Sequence, residues 1–197
     1  MNKNNLIAGV DEVGRGCLAG PVFSAAVILN DKINTKDIKD SKKLSFKKRI
    51  LISKYIKQNS IYAIGSASVK EIDKINILNA SLLSMQRALE KLKYKPSIAY
   101  IDGLFAPKKK GIKFETFIKG DEKIICISAA SILAKVTRDL FMINLSKKYP
   151  KYDWNKNFGY GTKDHMLGLK KYGVTKHHRK YFNPVHKILI KKAIKTQ

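Results

Sequence analysis

The sequence predicts an α/β fold: a mixed five-stranded sheet flanked by helices, followed by a basic helical C-terminal extension. Three observations carry that reading. Two short apolar runs come first, with no helical pattern between them. Strand-like runs and amphipathic stretches of helix length then alternate, the pattern of an α/β sheet rather than of a bundle or sandwich. From about residue 151 to 197 the chain turns helical and lysine-rich, an appendage to a core over about residues 1–150. No repeat, low-complexity tract or Gly/Ser/Pro linker divides the 197 residues, a length suited to one domain.

The elements follow in order. Residues 6–10 form an apolar run closed by acids and Gly14, a buried strand. Residues 21–29 read as a second strand, and the Gly-rich connection between the two suits a hairpin. Residues 46–58 space Ile50, Leu51, Lys54 and Tyr55 as a helix does, and 61–67 are a third strand. A long amphipathic helix is expected over 76–93, with Leu78, Leu82, Met85, Leu89 and Leu92 on one stripe. A fourth strand at 97–101 ends in Asp102-Gly103, and a fifth at 114–118 ends in Gly120-Asp121. A second long helix over 127–148 stops before Pro150. Helices at 164–172 and 184–195 complete the chain.

Charge narrows the partners. Lys and Arg number 40 against 15 Asp and Glu, a formal +25, and only five of the 40 are Arg. So positive a field repels itself and suits a polyanion, nucleic acid first. Abundant Lys, Asn and Ile also fit the codon drift of an AT-rich genome. No run of about 18 apolar residues supports a membrane span, and the N-terminal MNKNN lacks the apolar stretch of a signal peptide. Cys17 and Cys126 are too few for a disulfide framework or a zinc site; they read as small core residues in a reducing cytoplasm.

In a chain this poor in acids, their placement is informative. Asp11, Asp102 and Asp121 each close a strand-like run beside or near a glycine, where open α/β sheets hold ligands. Carboxylates converging there repel unless cations neutralise them, and oxygen ligands without Cys or His suit Mg²⁺ or Mn²⁺. Two such ions would equip the site for phosphodiester hydrolysis. Asp-Gly and Gly-Asp are also ordinary turn dipeptides, which leaves a purely structural reading open. Asp11 and Glu12 are neighbours and face opposite sides of a strand, so both serve one site only if the chain bends, as Gly14 allows. Gly14-Arg15-Gly16 suits either close backbone approach to a phosphate ligand or a plain hairpin turn. Ser41-Lys42-Lys43 can cap the first helix and hold phosphate, or be a solvated pair; Gly159-Tyr160-Gly161 offers a stacking ring or simple packing. His177-His178-Arg179 suits phosphate contact or plain surface.

Taken together these blocks are specific. Gly9-Val10-Asp11-Glu12-Val13-Gly14-Arg15-Gly16 with Leu18-Ala19-Gly20-Pro21-Val22 resembles the opening signature of the type 2 ribonuclease H family. Asp40-Ser41-Lys42-Lys43-Leu44-Ser45, Tyr100-Ile101-Asp102-Gly103, Lys119-Gly120-Asp121, the block from Ser128 to Asp139, and Gly159-Tyr160-Gly161-Thr162 match in order. The resemblance implies an RNase H-like fold in a single cytoplasmic domain, a monomer that cuts RNA hybridised to DNA. It also implies incision 5′ of single ribonucleotides in duplex DNA, leaving a 3′-hydroxyl and a 5′-phosphate. Carried over, Asp11, Glu12, Asp102 and Asp121 are the catalytic Mg²⁺ or Mn²⁺ ligands. Gly14, Arg15 and Gly16 read the 2′-hydroxyl, Tyr160 packs on the following sugar, and Lys42 and Lys43 hold phosphates. Tyr181 stands where the family usually has Ser, a departure that touches any hydroxyl contact there. A type 3 enzyme would need an N-terminal domain for which a signature starting near residue 9 leaves no room.

Overall fold

A computed structural model describes residues 6–39 and 45–194. Its strands are β1 (Ile7–Val13), β2 (Val22–Leu29), β3 (Ser60–Ala67), β4 (Ile98–Asp102) and β5 (Lys113–Phe117). Its helices are α1 (Lys36–Lys39), α2 (Phe46–Gln58), α3 (Val69–Glu90), α4 (Gly120–Lys123), α5 (Ile125–Lys148), α6 (Trp154–Asn157), α7 (Lys163–Tyr172) and α8 (Val185–Ile194), with a 3-10 turn at Pro150–Tyr152. The five strands form one mixed sheet in the order β3-β2-β1-β4-β5. β1 and β2 are antiparallel, β4 runs parallel to β1, and β5 runs parallel to β4.

The strands' alternation builds two cores. Ala8, Val10, Ala26, Ile28, Ala99 and Ile101 pack with Met85, Ala88, Leu89 and Leu92 of α3. Ala25 and Val27 meet Ile52 and Ile56 of α2 and the Ala129–Val136 stretch of α5. The period of two thus covers both faces with helices. Gly9 makes the close approach of α5 possible, since a Cβ there would lie 2.1 Å from the Cys126 carbonyl carbon.

The expected elements are present with small shifts at their ends. The long helix differs more. It begins at Val69 and breaks at Asn76, whose backbone is left-handed in φ (64°). The Asn76 side chain accepts the Asn79 amide at 3.0 Å, so it starts the second segment as an N-cap would. The first segment has its own signal in Ser68-Val69-Lys70-Glu71, a capping box: Glu71 Oε2 accepts the Ser68 amide at 2.8 Å, and Ser68 Oγ accepts the Glu71 amide at 3.3 Å.

By packing, the chain falls into two compact units. One takes in the chain up to Val13, Phe23–Ser66 and Ser81–Thr137; the other takes in Gly14–Val22, Ala67–Ala80 and the chain from Arg138. The sheet's two cores belong to the first. The second has its own core of Leu18, Ala19, Met142, Tyr152, Trp154, Leu169 and Val185.

Candidate active site

In the first unit β1 stays regular through Asp11 and Glu12, which pair with Ala25 and Ser24 of β2. In the parallel ladder Val10 lies beside Ile101, so Asp11 and Asp102 occupy equivalent positions on one sheet face. Asp11 is buried, and its carboxyl titrates well above the ordinary carboxylate range, chiefly through burial and then through the Glu12 and Asp102 charges. The Ser131 hydroxyl and the Glu12 amide, 2.7 Å from Asp11 Oδ1, oppose that shift. Pleat parity assigns Glu12 to the opposite face, and the turn comes only after it, at Gly14 (φ 95°).

Asp121 does not end a strand. It lies in the first turn of α4, whose Gly120 amide donates to Asp102 Oδ1 at 2.7 Å. Ser128 Oγ of α5 donates to the Asp121 carbonyl at 2.5 Å, which fixes the backbone of that turn. Among the described residues no three Asp, Glu, His or Cys side chains already stand as a set that would hold an ion. The donor chemistry nevertheless fits a hard divalent cation: the groups are oxygens only, and the like charges that add to burial in raising Asp11 are what a cation relieves.

The second unit contains the glycine loop and the Tyr160 loop. Arg15 and Gly16 are exposed. A Cβ on Gly14 would fall 2.2 Å from Arg138 Nε, so its positive φ and its surroundings both demand glycine. Arg179, fully buried, donates from Nη2 to the Gly14 carbonyl (2.6 Å), from Nη1 to that of Arg15 (2.7 Å), and from Nε to that of Gly20 (3.0 Å). Arg138 donates to the carbonyls of Pro21 (3.1 Å), Phe158 (2.8 Å) and Ala19 (3.0 Å). The Leu18 amide donates to the Gly159 carbonyl at 2.8 Å, which joins the two loops. Tyr160 is 39% exposed, and the Arg138 guanidinium lies 6.0 Å from its ring centre. Burial, with the Cys17 thiol beside it, pushes the Tyr160 hydroxyl up to about 12, so it stays protonated.

A family model described as Ribonuclease HII matches residues 8–187. The chain belongs to the ribonuclease HII family. A ribonuclease HII of Pelagibacter ubique is 59% identical over 184 residues, covering 93% of this chain and 99% of its own. One from Neisseria meningitidis is 46% identical, covering 96% and 98%. The crystal structure of ribonuclease H2 from Pyrococcus horikoshii superposes with a TM-score of 0.78 at 29% identity, covering 94% of this chain and 97% of that one. The fold is RNase H-like, and the chain is a ribonuclease H, a hydrolase of RNA–DNA substrates. No helix among the described residues is long and apolar enough to cross a membrane.

Other expectations for this ribonuclease HII chain resolve residue by residue. Lys42 and Lys43 lie outside the described residues, as does Ser41, and the cap of α2 is Ser45, whose Oγ accepts the Lys48 amide at 3.3 Å. Cys17 and Cys126 are buried, and burial pushes the Cys126 thiol up to about 11. His178 and Arg179 are not surface phosphate contacts: both are buried, and the guanidinium is occupied by main-chain carbonyls. Residue-type reasoning misses the role of Arg138 and Arg179 as buried clamps on main-chain carbonyls. Their signal is slight: two of only five arginines in a lysine-rich chain, spent where a forked donor is needed and a lysine cannot substitute. Tyr181 is 69% exposed, its ring 5.9 Å from that of His186.

Burial holds His178 down to about 3, assisted by the His165 and His177 charges and opposed by its bond to the Thr175 backbone. Between about pH 3 and the ordinary 6.5 the unfolded chain therefore binds the extra proton, and stability is lost as pH falls through that window. Urea unfolding of wild type and His178→Asn from pH 7.5 to 4.5 is expected to show the wild type losing ground by about 1 kcal/mol per pH unit below 6.5. Parallel curves would mean that His178 titrates normally in the folded protein.

Proposed function

We propose that this ribonuclease H cuts RNA hybridised to DNA and also incises on the 5′ side of a single ribonucleotide embedded in duplex DNA. The observation that carries the reading is the pair Asp11 and Asp102, set at equivalent positions on one face of neighbouring parallel strands in a chain of net charge +25. Asp11, Asp102 and Asp121 would hold Mg²⁺ or Mn²⁺, and Glu12, on the other face of β1, would join them by its carboxylate reaching round the strand's end, where the chain turns at Gly14. Bound there, two such ions would supply an acidified water and charge neutralisation at the phosphate.

The chain's own groups prepare that chemistry. The Gly120 amide fixes the rotamer of Asp102, and the Glu12 amide and Ser131 hydroxyl fix that of Asp11. Water oxygen joins phosphorus as the bond to the 3′-oxygen breaks, which leaves a 3′-hydroxyl on one fragment and a 5′-phosphate on the other. Gly14, Arg15 and Gly16 read the 2′-hydroxyl, the one group that separates RNA from DNA at that position. A trans peptide sets its N–H opposite its C=O. With the Gly14 and Arg15 carbonyls turned to Arg179, the Arg15 and Gly16 amides are directed the other way, which supports the reading that they meet the ligand. Tyr160 packs on the next sugar, where an added 2′-hydroxyl would crowd the ring, and Lys42 and Lys43 take phosphates. The reaction belongs to the cytoplasm, beside the DNA it repairs.

The deciding experiment is cleavage of three duplexes with product ends mapped: all-DNA, DNA with one ribonucleotide, and a continuous RNA–DNA hybrid. Cuts are expected in the last two only, and in the second at one phosphodiester, 5′ of the ribose. Cleavage of the all-DNA duplex, or ends of opposite polarity, would overturn the reading. On the same substrates Tyr160→Ala is expected to lose about tenfold more on the single ribonucleotide than on the hybrid, since stacking contributes about 1–3 kcal/mol. Tyr160→Phe should lose much less. Equal losses on both substrates would reduce Tyr160 to a packing residue.

A further inference from the structure

Three buried side chains of the second unit, Trp154, His165 and His178, are joined by hydrogen bonds whose direction can be deduced. His178 Nδ1 accepts the Thr175 amide at 3.0 Å, so its proton is on Nε2. The Thr175 hydroxyl agrees: it accepts the His177 amide at 3.2 Å and can donate its own hydrogen to the same Nδ1 at 2.9 Å. His178 Nε2 then donates to His165 Nε2 at 3.1 Å, which also accepts the Trp154 indole N–H at 3.0 Å. An Nε2 that receives two donors carries no proton. The proton of His165 is therefore on Nδ1, which donates to the Tyr160 carbonyl at 2.9 Å. Each imidazole is neutral and in one tautomer, because a proton on His165 Nε2 would confront two N–H groups.

The chain ends on the residue whose ring is proposed to face the sugar. The Tyr160 carbonyl also accepts the Thr162 amide at 2.8 Å, and the Tyr160 amide donates to the Asn157 carbonyl at 2.9 Å. Thr162 Oγ1 accepts the backbone amide of His165 at 3.4 Å, so the first turn of α7 and the Tyr160 loop close on each other. We infer that His165 is a positioning residue for ribonucleotide selection: its Nδ1–H fixes the Tyr160 peptide, and Trp154 and His178 impose the tautomer that makes this donor available. The inference rests on the reading that Tyr160 packs against the sugar. It gives the His165–His178 pair a task distinct from acid–base chemistry, for which two neutral, buried rings are unsuited.

Two variants separate the two nitrogens. In His165→Asn the amide nitrogen sits at the position of Nδ1 and keeps the donor to Tyr160. In His165→Gln the polar group lies at the level of Nε2, and that donor is lost. The readout is the ratio of cleavage rates on the single-ribonucleotide duplex and the continuous hybrid, at one salt and one Mn²⁺ concentration. His165→Gln is expected to lower the ratio about five- to tenfold, the worth of one neutral hydrogen bond, while His165→Asn stays within about twofold of wild type. A similar ratio in both variants would overturn the inference. Tyr160→Ala is run alongside: if it lowers the ratio and His165→Gln does not, only the positioning role falls, whereas an unchanged ratio in Tyr160→Ala sinks the sugar-packing reading and this inference with it. The tautomers are tested on the wild-type protein, whatever the variants' folding, by ¹⁵N–¹H correlation of the imidazoles. Nδ1–H on His165 and Nε2–H on His178 are expected; any other pair of states overturns the scheme.

Discussion

Asp11→Asn is expected to lose turnover by more than about a hundredfold while the folded protein becomes no less stable and gains on the order of 1 kcal/mol. Both halves of the outcome come from one cause. The Asp11 carboxyl is buried against like charges, and it titrates well above the ordinary range for that reason. A carboxyl with a raised folded-state value favours folding while protonated and loses that advantage as pH rises through that value, because ionising it in this site costs stability. Asn keeps the shape and can still accept the Glu12 amide, but carries no charge to repel its neighbours. Asp102→Asn should lose activity to the same degree, since its oxygen can still accept the Gly120 amide and hold α4 in place. The measurements are the single-turnover rate on an RNA–DNA hybrid and the urea midpoint at pH 7.5. A dead and destabilised Asp11→Asn would point to a structural role. Wild-type turnover in Asp102→Asn or Asp121→Asn would remove that residue from the site.

The pairing of Asp11 with Asp102 was legible in the sequence because each follows an apolar run, and polar residues at strand ends have few destinations. Three other features were not legible, each for a physical reason. Asp121 follows Lys119, a residue with positive φ (55°), and so enters a short helix where a turn dipeptide was expected. Residues 69–75 lack the length and stripe of an amphipathic helix, and only the Ser68–Glu71 box announces them. The roles of Arg138, Arg179, His165 and His178 depend on contacts between segments far apart in the chain, such as Gly14 with Arg179. No local pattern encodes such a contact. The bend expected to bring Glu12 round to Asp11 is absent from β1 itself, which stays paired with β2 through Val13. What Glu12 contributes to Asp11 is seen in charge, and a Glu12→Gln variant should lower the Asp11 titration point toward the ordinary range.

Arg179→Lys is expected to destabilise the fold by about 3 kcal/mol or more and to remove discrimination between ribose and deoxyribose. The guanidinium fork serves three carbonyls in three directions, those of Gly14, Arg15 and Gly20. A lysine ammonium is one point on a flexible stem and cannot reproduce that fork, so buried carbonyls lose partners at about 1–3 kcal/mol each. Burial lowers Arg179 only to about 10, so the wild-type side chain is charged at neutral pH, and the substitution alters geometry rather than charge. The consequence for recognition follows from peptide planarity. Without the guanidinium, the Gly14 carbonyl keeps the Cys17 amide at 3.4 Å, a long bond that holds the Arg15 and Gly16 amides less firmly in one direction. A 2′-hydroxyl is a weak, single feature, and only donors already in place can tell it from a hydrogen atom. The variant should therefore bind the single-ribonucleotide duplex and its all-DNA counterpart with more nearly equal affinity, while Arg15→Ala, which leaves the clamp intact, should weaken binding of both. Fluorescence anisotropy with Ca²⁺ in place of Mg²⁺ would read these affinities without cleavage. If Arg179→Lys kept the wild-type preference for the ribose, the loop amides would owe their direction to the chain itself, and the buried arginine would be a support for the fold alone.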